Sequence, residues 1–390
     1  MIETYQLAST ASQLLAQART QTGIDIVDAD IAEKLEKFVH ALNTEADLHQ
    51  AGARAMEWHL LLILTNRLRM LRDFNNHPEI AEQQILPPVI LGGMARTGST
   101  KLHKLLAATG DFHYLPCWQG ISLSRLSDDR NENTAPRIRI ATEHIDWFNA
   151  HAPMAKRIHE FSPFEAEEEN LLLAHTLFAQ YMLAFALTPS YLQWYVANTN
   201  FRADFEFMKQ TMRYLQWQFH AGVAKPWVMK NPTYPGLEPI LAQVFPGASF
   251  SCTHREPVST MSSSLSLLHH YHVAYSNADR RLMLGQMMVE GLAMGREQQI
   301  AARDAHPEIK VLDIPYSQTI SNAVKMVEAL YDHAGMSMSA QARQAVLDWE
   351  RDNTQHKLGA HQHTLDEYGT RADQVRQRFS AYINRFGNCF

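Results

Sequence analysis

The chain has 390 residues, 46% of them apolar, enough for one large domain or two ordinary ones around a sizeable core. A net charge of −6 and a pI near 6.4 exclude a global basic field of the kind that binds nucleic acid without sequence preference. The three cysteines, Cys117, Cys252 and Cys389, lie far apart with no C-x-x-C, which suits a reducing compartment. The start, "MIETYQLAST", lacks the basic and apolar regions of a secretory leader, so a cytoplasmic protein is expected.

In chain order, residues 1–85 carry helical periodicity and no strand signal. "AMEWHLLLILTNRLRMLRDF" is the strongest case, and three or so helices are expected before Pro87-Pro88. Val89 to Leu91 then reads as a strand, followed by a glycine-bounded loop and a helix. Residues 111–222 read as mostly helical and aromatic-rich, with loops near Pro116, Pro136, Pro153 and Pro189. The longest apolar run, "LLLAHTLFAQYMLAFAL" at 171–187, is marginally short for a bilayer and carries His175, Thr176 and Gln180. It is expected to be a buried helix, and no membrane span is expected.

Strand and helix signals then alternate. "PWVMK" (226–230), "ASFSCTHREP" and "KVLDIPY" (310–316) read as strands. "GLEPILAQVF", "VSTMSSSLSLLHHY" and the stretch from Gln318 to about His333 read as helices. "ADQVRQRFSAYINRF" predicts an amphipathic helix with Val375, Phe379, Ile383 and Phe386 on one face. The expected fold class is α/β, a P-loop-like parallel sheet flanked by helices. The division expected is a helical region over 1–85 and an α/β domain over 86–390 with a helical insertion at about 111–222.

"ILGGMARTGSTKLHKLLA", 90–107, places a glycine loop between strand and helix. Such a loop presents free N–H groups and the positive end of a helix dipole to an anion. Gly93 and Gly98 bracket four residues, as in G-x-x-x-x-G-K-[ST], but Ser99 replaces the lysine that reaches the β- and γ-phosphates of a triphosphate. Thr100 fills the hydroxyl position, and Arg96 offers a fork of donors inside the loop. A plain helix cap with incidental glycines is the alternative. In "THREPVSTMSSSLSL", Arg255 stands at a strand end before a helix marked by Pro257, with Ser263 eight residues on. A second phosphate between them is one reading. An Arg255–Glu256 ion pair and an ordinary serine-bearing helix surface is the other. Two anion sites suggest a nucleotide phosphorylated at both ends.

These stretches resemble the bacterial sulfotransferases that use 3′-phosphoadenosine 5′-phosphosulfate (PAPS). The family loop G-x-P-R-T-G-T-T-x-L-x-x-L-L stands here as "GMARTGSTKLHKLL". Its second motif stands as "WVMKNP", "FPGASFSCTHREP" and "SSLSL", and its C-terminal pattern as "KLGAHQHTLDEYG". The resemblance spans nearly the whole chain. It implies that Arg96, Thr97, Gly98, Ser99, Thr100 and Lys101 wrap the 5′-phosphosulfate, and that Arg255 and Ser263 hold the 3′-phosphate. It further implies that Lys357 and Gly359 belong to a segment closing over the nucleotide, and that Lys230 contacts the leaving oxygen. The loss of the P-loop lysine follows, because PAPS has no γ-phosphate. The product would be 3′-phosphoadenosine 5′-phosphate (PAP), the partner a small-molecule hydroxyl acceptor, and no metal is implied.

Sulfuryl transfer needs an in-line arrangement, charge neutralisation at the leaving phosphate and a base for the acceptor hydroxyl. Relatives often carry Trp-Glu where this chain has Trp118-Gln119, and a histidine where it has Tyr234. The remaining base candidates lie in "RIHEFSPFEAEEENLLL": His159, Glu165, Glu167 and Glu168. Glu165 and Glu168 would share a helix face. Equally, these acids suit the first turn of a helix from about 166 to 187. His113 is a lesser candidate with a structural reading. "HHYH" and "HQH" lack partners at metal-ligand spacing. The competing functions are a P-loop kinase or NTPase and a non-catalytic nucleotide-binding protein. "FAQYMLAFAL" and "YLQWY" point to a lipid or phenolic acceptor, or to ordinary core packing.

Overall fold

The computed structural model describes residues 3–129, 131–353 and 363–390. Four strands form one parallel sheet: β1 (Val89–Gly93), β2 (Val228–Lys230), β3 (Ser249–His254) and β4 (Val311–Pro315), in the order β2-β1-β3-β4. Every residue of β1 and β2 is buried, as expected of parallel strands covered on both faces. The register sets Leu91 against Lys230, Gly93 against Thr253 and His254 against Pro315. The chain runs from β1 to β2 on one side and then to β3 on the other. That reversal opens a crevice at the carboxyl ends of these strands, where open α/β sheets bind ligands.

Three helices, Ala11–Thr22, Ala29–Glu45 and Gln50–Asn76, precede the sheet. Their apolar faces (Leu35, Phe38, Leu42, Met56, Leu60, Ile63) merge into one core with the aromatic side chains of 148–234. A second core lies between the sheet and the helices Ser99–Ala108 and Ala323–His333, built on Leu91, Leu102, Leu105, Val327 and Tyr331. A third joins helices Pro257–Val273 and Arg281–Ala305 to the C-terminal Val375, Phe379, Tyr382 and Phe386.

Three expectations are corrected. The run 171–187 is buried but is not one helix. It breaks into Asn170–Leu173, a 3₁₀ turn at Ala174–Thr176 and Ala179–Met182, with Leu177 in the left-handed region at φ 54°. A uniformly apolar stretch has no polar face, and here it packs on all sides as short turns. The helix expected from Gln318 to His333 is interrupted at Asn322, and the C-terminal helix at Phe379. The loops expected near Pro136, Pro153 and Pro189 are present, each ending within two residues of its proline. The prolines themselves occupy the first turns of helices, where a missing N–H costs nothing.

Candidate active site

The glycine loop leaves β1 through Gly93 at φ 133°. A Cβ there would lie 2.2 Å from Thr253 Oγ1 on the neighbouring strand, so only glycine permits this approach. Thr97 is buried and anchors the loop, its hydroxyl 2.6 Å from both Met94 O and Thr253 Oγ1. Arg96 forms the crown with φ 69°, strain of the sort that collects at ligand-binding turns. Gly98, at φ 89°, caps the helix Ser99–Ala108 with no side-chain cap bond. In the first turn Lys101 N bonds Gly98 O at 3.1 Å, which leaves the Ser99 and Thr100 amides without an intrahelical acceptor. Lys101 pairs with Glu350 at 2.6 Å.

The second anchor closes on the first. Arg96 Nε donates to Ser263 Oγ at 3.1 Å, and Arg255 Nη1 donates to Arg96 O at 2.9 Å. Arg255 also lies over the Tyr316 ring, 4.1 Å from its centroid. It makes no pair with Glu256, which caps the helix Pro257–Val273 through Ser259 N and meets Arg376. Arg96, Arg255 and Ser263 therefore form one polar cluster, although 159 residues separate the two arginines. Lys357 and Gly359 lie outside the described residues.

The acidic segment enters from the opposite side. Residues 165–169 are not helical. Ala166 bridges to Pro116, and Glu167 N bonds Leu115 O at 2.9 Å, so successive side chains point in different directions. The shared helix face expected for Glu165 and Glu168, and the alternative of a first helical turn, both fail for this reason. Glu165 pairs with Lys104 on the loop helix. Glu167 accepts from His159 Nε2 at 3.1 Å and from Glu168 N at 2.9 Å. Glu168 pairs with Lys230 and accepts from Asn170 Nδ2 at 2.9 Å. Lys230 ends β2 almost fully buried.

Burial raises the Glu167 carboxyl, but the adjacent His159 outweighs it and holds the group below the usual carboxylate range. Two groups were missed by sequence reasoning. Glu169 is fully buried. It accepts from Lys230 N at 2.7 Å and Tyr234 OH at 3.3 Å, while its Oε1 has no partner among the described residues. Burial pushes its pKa up to about 8. Tyr234, standing where relatives carry a histidine, thus supports this acid. His103, on the loop helix, is buried with neither ring nitrogen partnered among the described residues. Burial, then the charge of Lys230, lowers its pKa to about 3. No periodicity marks either residue.

His113 and His272 make structural contacts. His113 contacts Val223 O at 3.1 Å and stacks on His220. His272 meets Leu183 O at 2.9 Å. Gln119 is buried, beside a Trp118 ring that packs on Phe219 and Arg137.

A model described as "Sulfotransferase family" matches residues 87–340, which span β1 through β4 and include Arg96, Arg255 and Ser263. The chain belongs to the sulfotransferase family. Two solved structures share its fold. The sulfotransferase STF1 from Mycobacterium tuberculosis H37Rv is 24% identical over 97% of this chain and 100% of that one, with a TM-score of 0.78. The sulfotransferase STF9 from Mycobacterium avium is 19% identical over 98% of both chains, with a TM-score of 0.82. No curated protein matches the chain. In this sulfotransferase the glycine loop leaves the end of β1, Lys230 ends β2 and Arg255 follows the end of β3.

Proposed function

We propose that this sulfotransferase moves the sulfuryl group of PAPS to the hydroxyl of a small neutral acceptor, in the cytoplasm. The observation that carries the reading is the Arg255–Arg96–Ser263 cluster beside an uncapped helix N-terminus. It offers two neighbouring anion sites rather than one triphosphate site, which fits a 3′-phosphate and a 5′-phosphosulfate. Arg96 and the loop from Thr97 to Lys101 would hold the phosphosulfate. Arg255 and Ser263 would hold the 3′-phosphate. Lys230, keeping one N–H on Glu168 and turning another to the leaving oxygen, would neutralise charge there. Lys357 and Gly359 would close over the nucleotide.

Around the acidic segment the walls are aromatic. Phe161 lies 6.1 Å from Tyr271, and Tyr271 stacks parallel on Phe185 at 5.7 Å and 7°. Such walls, carrying carboxylates, favour an uncharged phenolic or lipid alcohol. A kinase reading has little support. Asp313, in β4, is tied to His254 at 2.7 Å and to Arg303 at 2.7 Å. Isothermal titration with PAP decides the proposal. Tight binding by the wild type and its loss in Arg255→Ala is expected. Binding of ATP-Mg²⁺ with no binding of PAP would overturn it.

A further inference from the structure

We infer that His159, oriented by Glu167, takes the acceptor's proton. The inference rests on the reading above and deepens it. Four carboxylates crowd residues 165–169, and each is engaged or sealed off. Glu165 is turned to Lys104. Glu168 gives one oxygen to Lys230 and the other to Asn170. Glu169 has no exposed surface, so no acceptor reaches it. Glu167 uses Oε1 on Glu168 N and Oε2 on His159 Nε2.

His159 is what remains. With Glu167 anionic, Nε2 carries the hydrogen and donates it, which leaves the lone pair on Nδ1. The ring is 13% exposed and meets Phe161 edge-on, with centroids 4.7 Å apart, so it borders the aromatic wall. The groups facing the His159–Glu167 pair include Lys230 from β2 and Glu168 beside it, and Tyr271 from the helix Pro257–Val273 with Arg96 next to that ring, while Lys156, Arg157 and Glu160 flank His159 in the chain. In the step, the acceptor O–H proton passes to His159 Nδ1 as the acceptor oxygen bonds sulfur. The bond from sulfur to the phosphate oxygen breaks, and its electron pair stays on PAP. Glu167 is a positioning residue that stabilises the imidazolium so formed.

The test uses PAPS with 2-naphthol as the probe acceptor. His159→Ala and His159→Gln should lower kcat by about 100-fold or more with PAP affinity unchanged within about threefold. Glu167→Gln should lower kcat by about tenfold at unchanged PAP affinity, because the imidazolium loses its counter-anion, and Glu167→Asp should recover part of that loss. Retention of kcat within about threefold by the His159 variants would overturn the assignment. ¹⁵N resonances of the imidazole in the free wild-type protein give a readout independent of any acceptor. The Nε2–H tautomer supports the inference and the Nδ1–H tautomer sinks it. Failure of the wild type to bind PAP counts against the sulfotransferase donor, a separate result.

Discussion

Arg255 bonds the backbone carbonyl of Arg96 at 2.9 Å, and the Arg96 side chain bonds Ser263 at 3.1 Å. The crown of the glycine loop is thereby tied to the end of β3 and to the helix that follows. In the proposed function, an anion held at one of the two would feel the geometry of the other. Preorganisation of this kind lowers the ordering cost of binding a doubly anchored nucleotide.

Arg255→Lys keeps the charge but loses the planar fork and the flat contact with Tyr316. A charge-assisted hydrogen bond is worth about 1.5–3 kcal/mol and a neutral one about 0.5–1.5 kcal/mol. PAP should therefore bind roughly 10- to 100-fold more weakly to Arg255→Lys, and only a few-fold more weakly to Ser263→Ala. Titration calorimetry checks the order. A larger loss in Ser263→Ala would show that the serine, not the arginine, is the main anchor.

Gly93→Ala should be severely destabilising. The new Cβ would meet Thr253 Oγ1 at 2.2 Å and Thr253 O at 2.8 Å, at a φ of 133° that alanine avoids. Strain and overpacking each cost about 1–3 kcal/mol. Gly291→Ala is the control. It lies in the helix Arg281–Ala305 with nothing within 4 Å, and should gain about 0.5–1 kcal/mol. Denaturant midpoints of the two variants should move in opposite directions.

Glu169 makes stability depend on pH. Its pKa rises from 4.5 to about 8 on folding, so the folded state keeps the proton longer than the unfolded state does. Its contribution is full below pH 4.5 and is lost as pH rises through about 8. Glu169→Gln removes this titration. The wild type should lose Tm relative to Glu169→Gln between pH 5 and pH 8, measured by thermal melts in matched buffers. A difference that stays flat would mean the carboxyl is ionised throughout.

Legibility in the sequence followed the range of the interactions. β1, β3 and the loop between Gly93 and Gly98 were readable because apolar runs and glycines are local signals. Pro257 likewise marked a helix start, and the order of the motifs gave the family. The break at Leu177 carried no glycine or proline, and an apolar run without a polar face offers no period to measure. The acidic segment was recognised as important but misjudged in form, because a bridge to Pro116 holds it extended. Which acid meets which cation was not readable at all. Glu165 finds Lys104 from 61 residues away and Glu168 finds Lys230 from 62.

His254 supplies the last prediction. It is fully buried at the end of β3, one residue before Arg255, with Nδ1 2.8 Å from Tyr382 OH and Nε2 2.7 Å from Asp313. Phe386 stacks on its ring at 4.4 Å, so the C-terminal helices are fastened to the strand that presents Arg255. Burial opposes its charge, but the neighbouring Cys252 and Asp313 outweigh that and raise its pKa to about 9. A folded pKa above the unfolded 6.5 gives stability that is full below pH 6.5 and is lost as pH rises through about 9. His254→Gln should therefore be most destabilised, relative to the wild type, near pH 6, and the gap should narrow by pH 9.5 in denaturant titrations. Its PAP affinity should also fall, because the strand end that aims Arg255 loses its lateral support. A gap that is constant with pH would show that His254 is neutral in the fold and acts by packing on Phe386 alone.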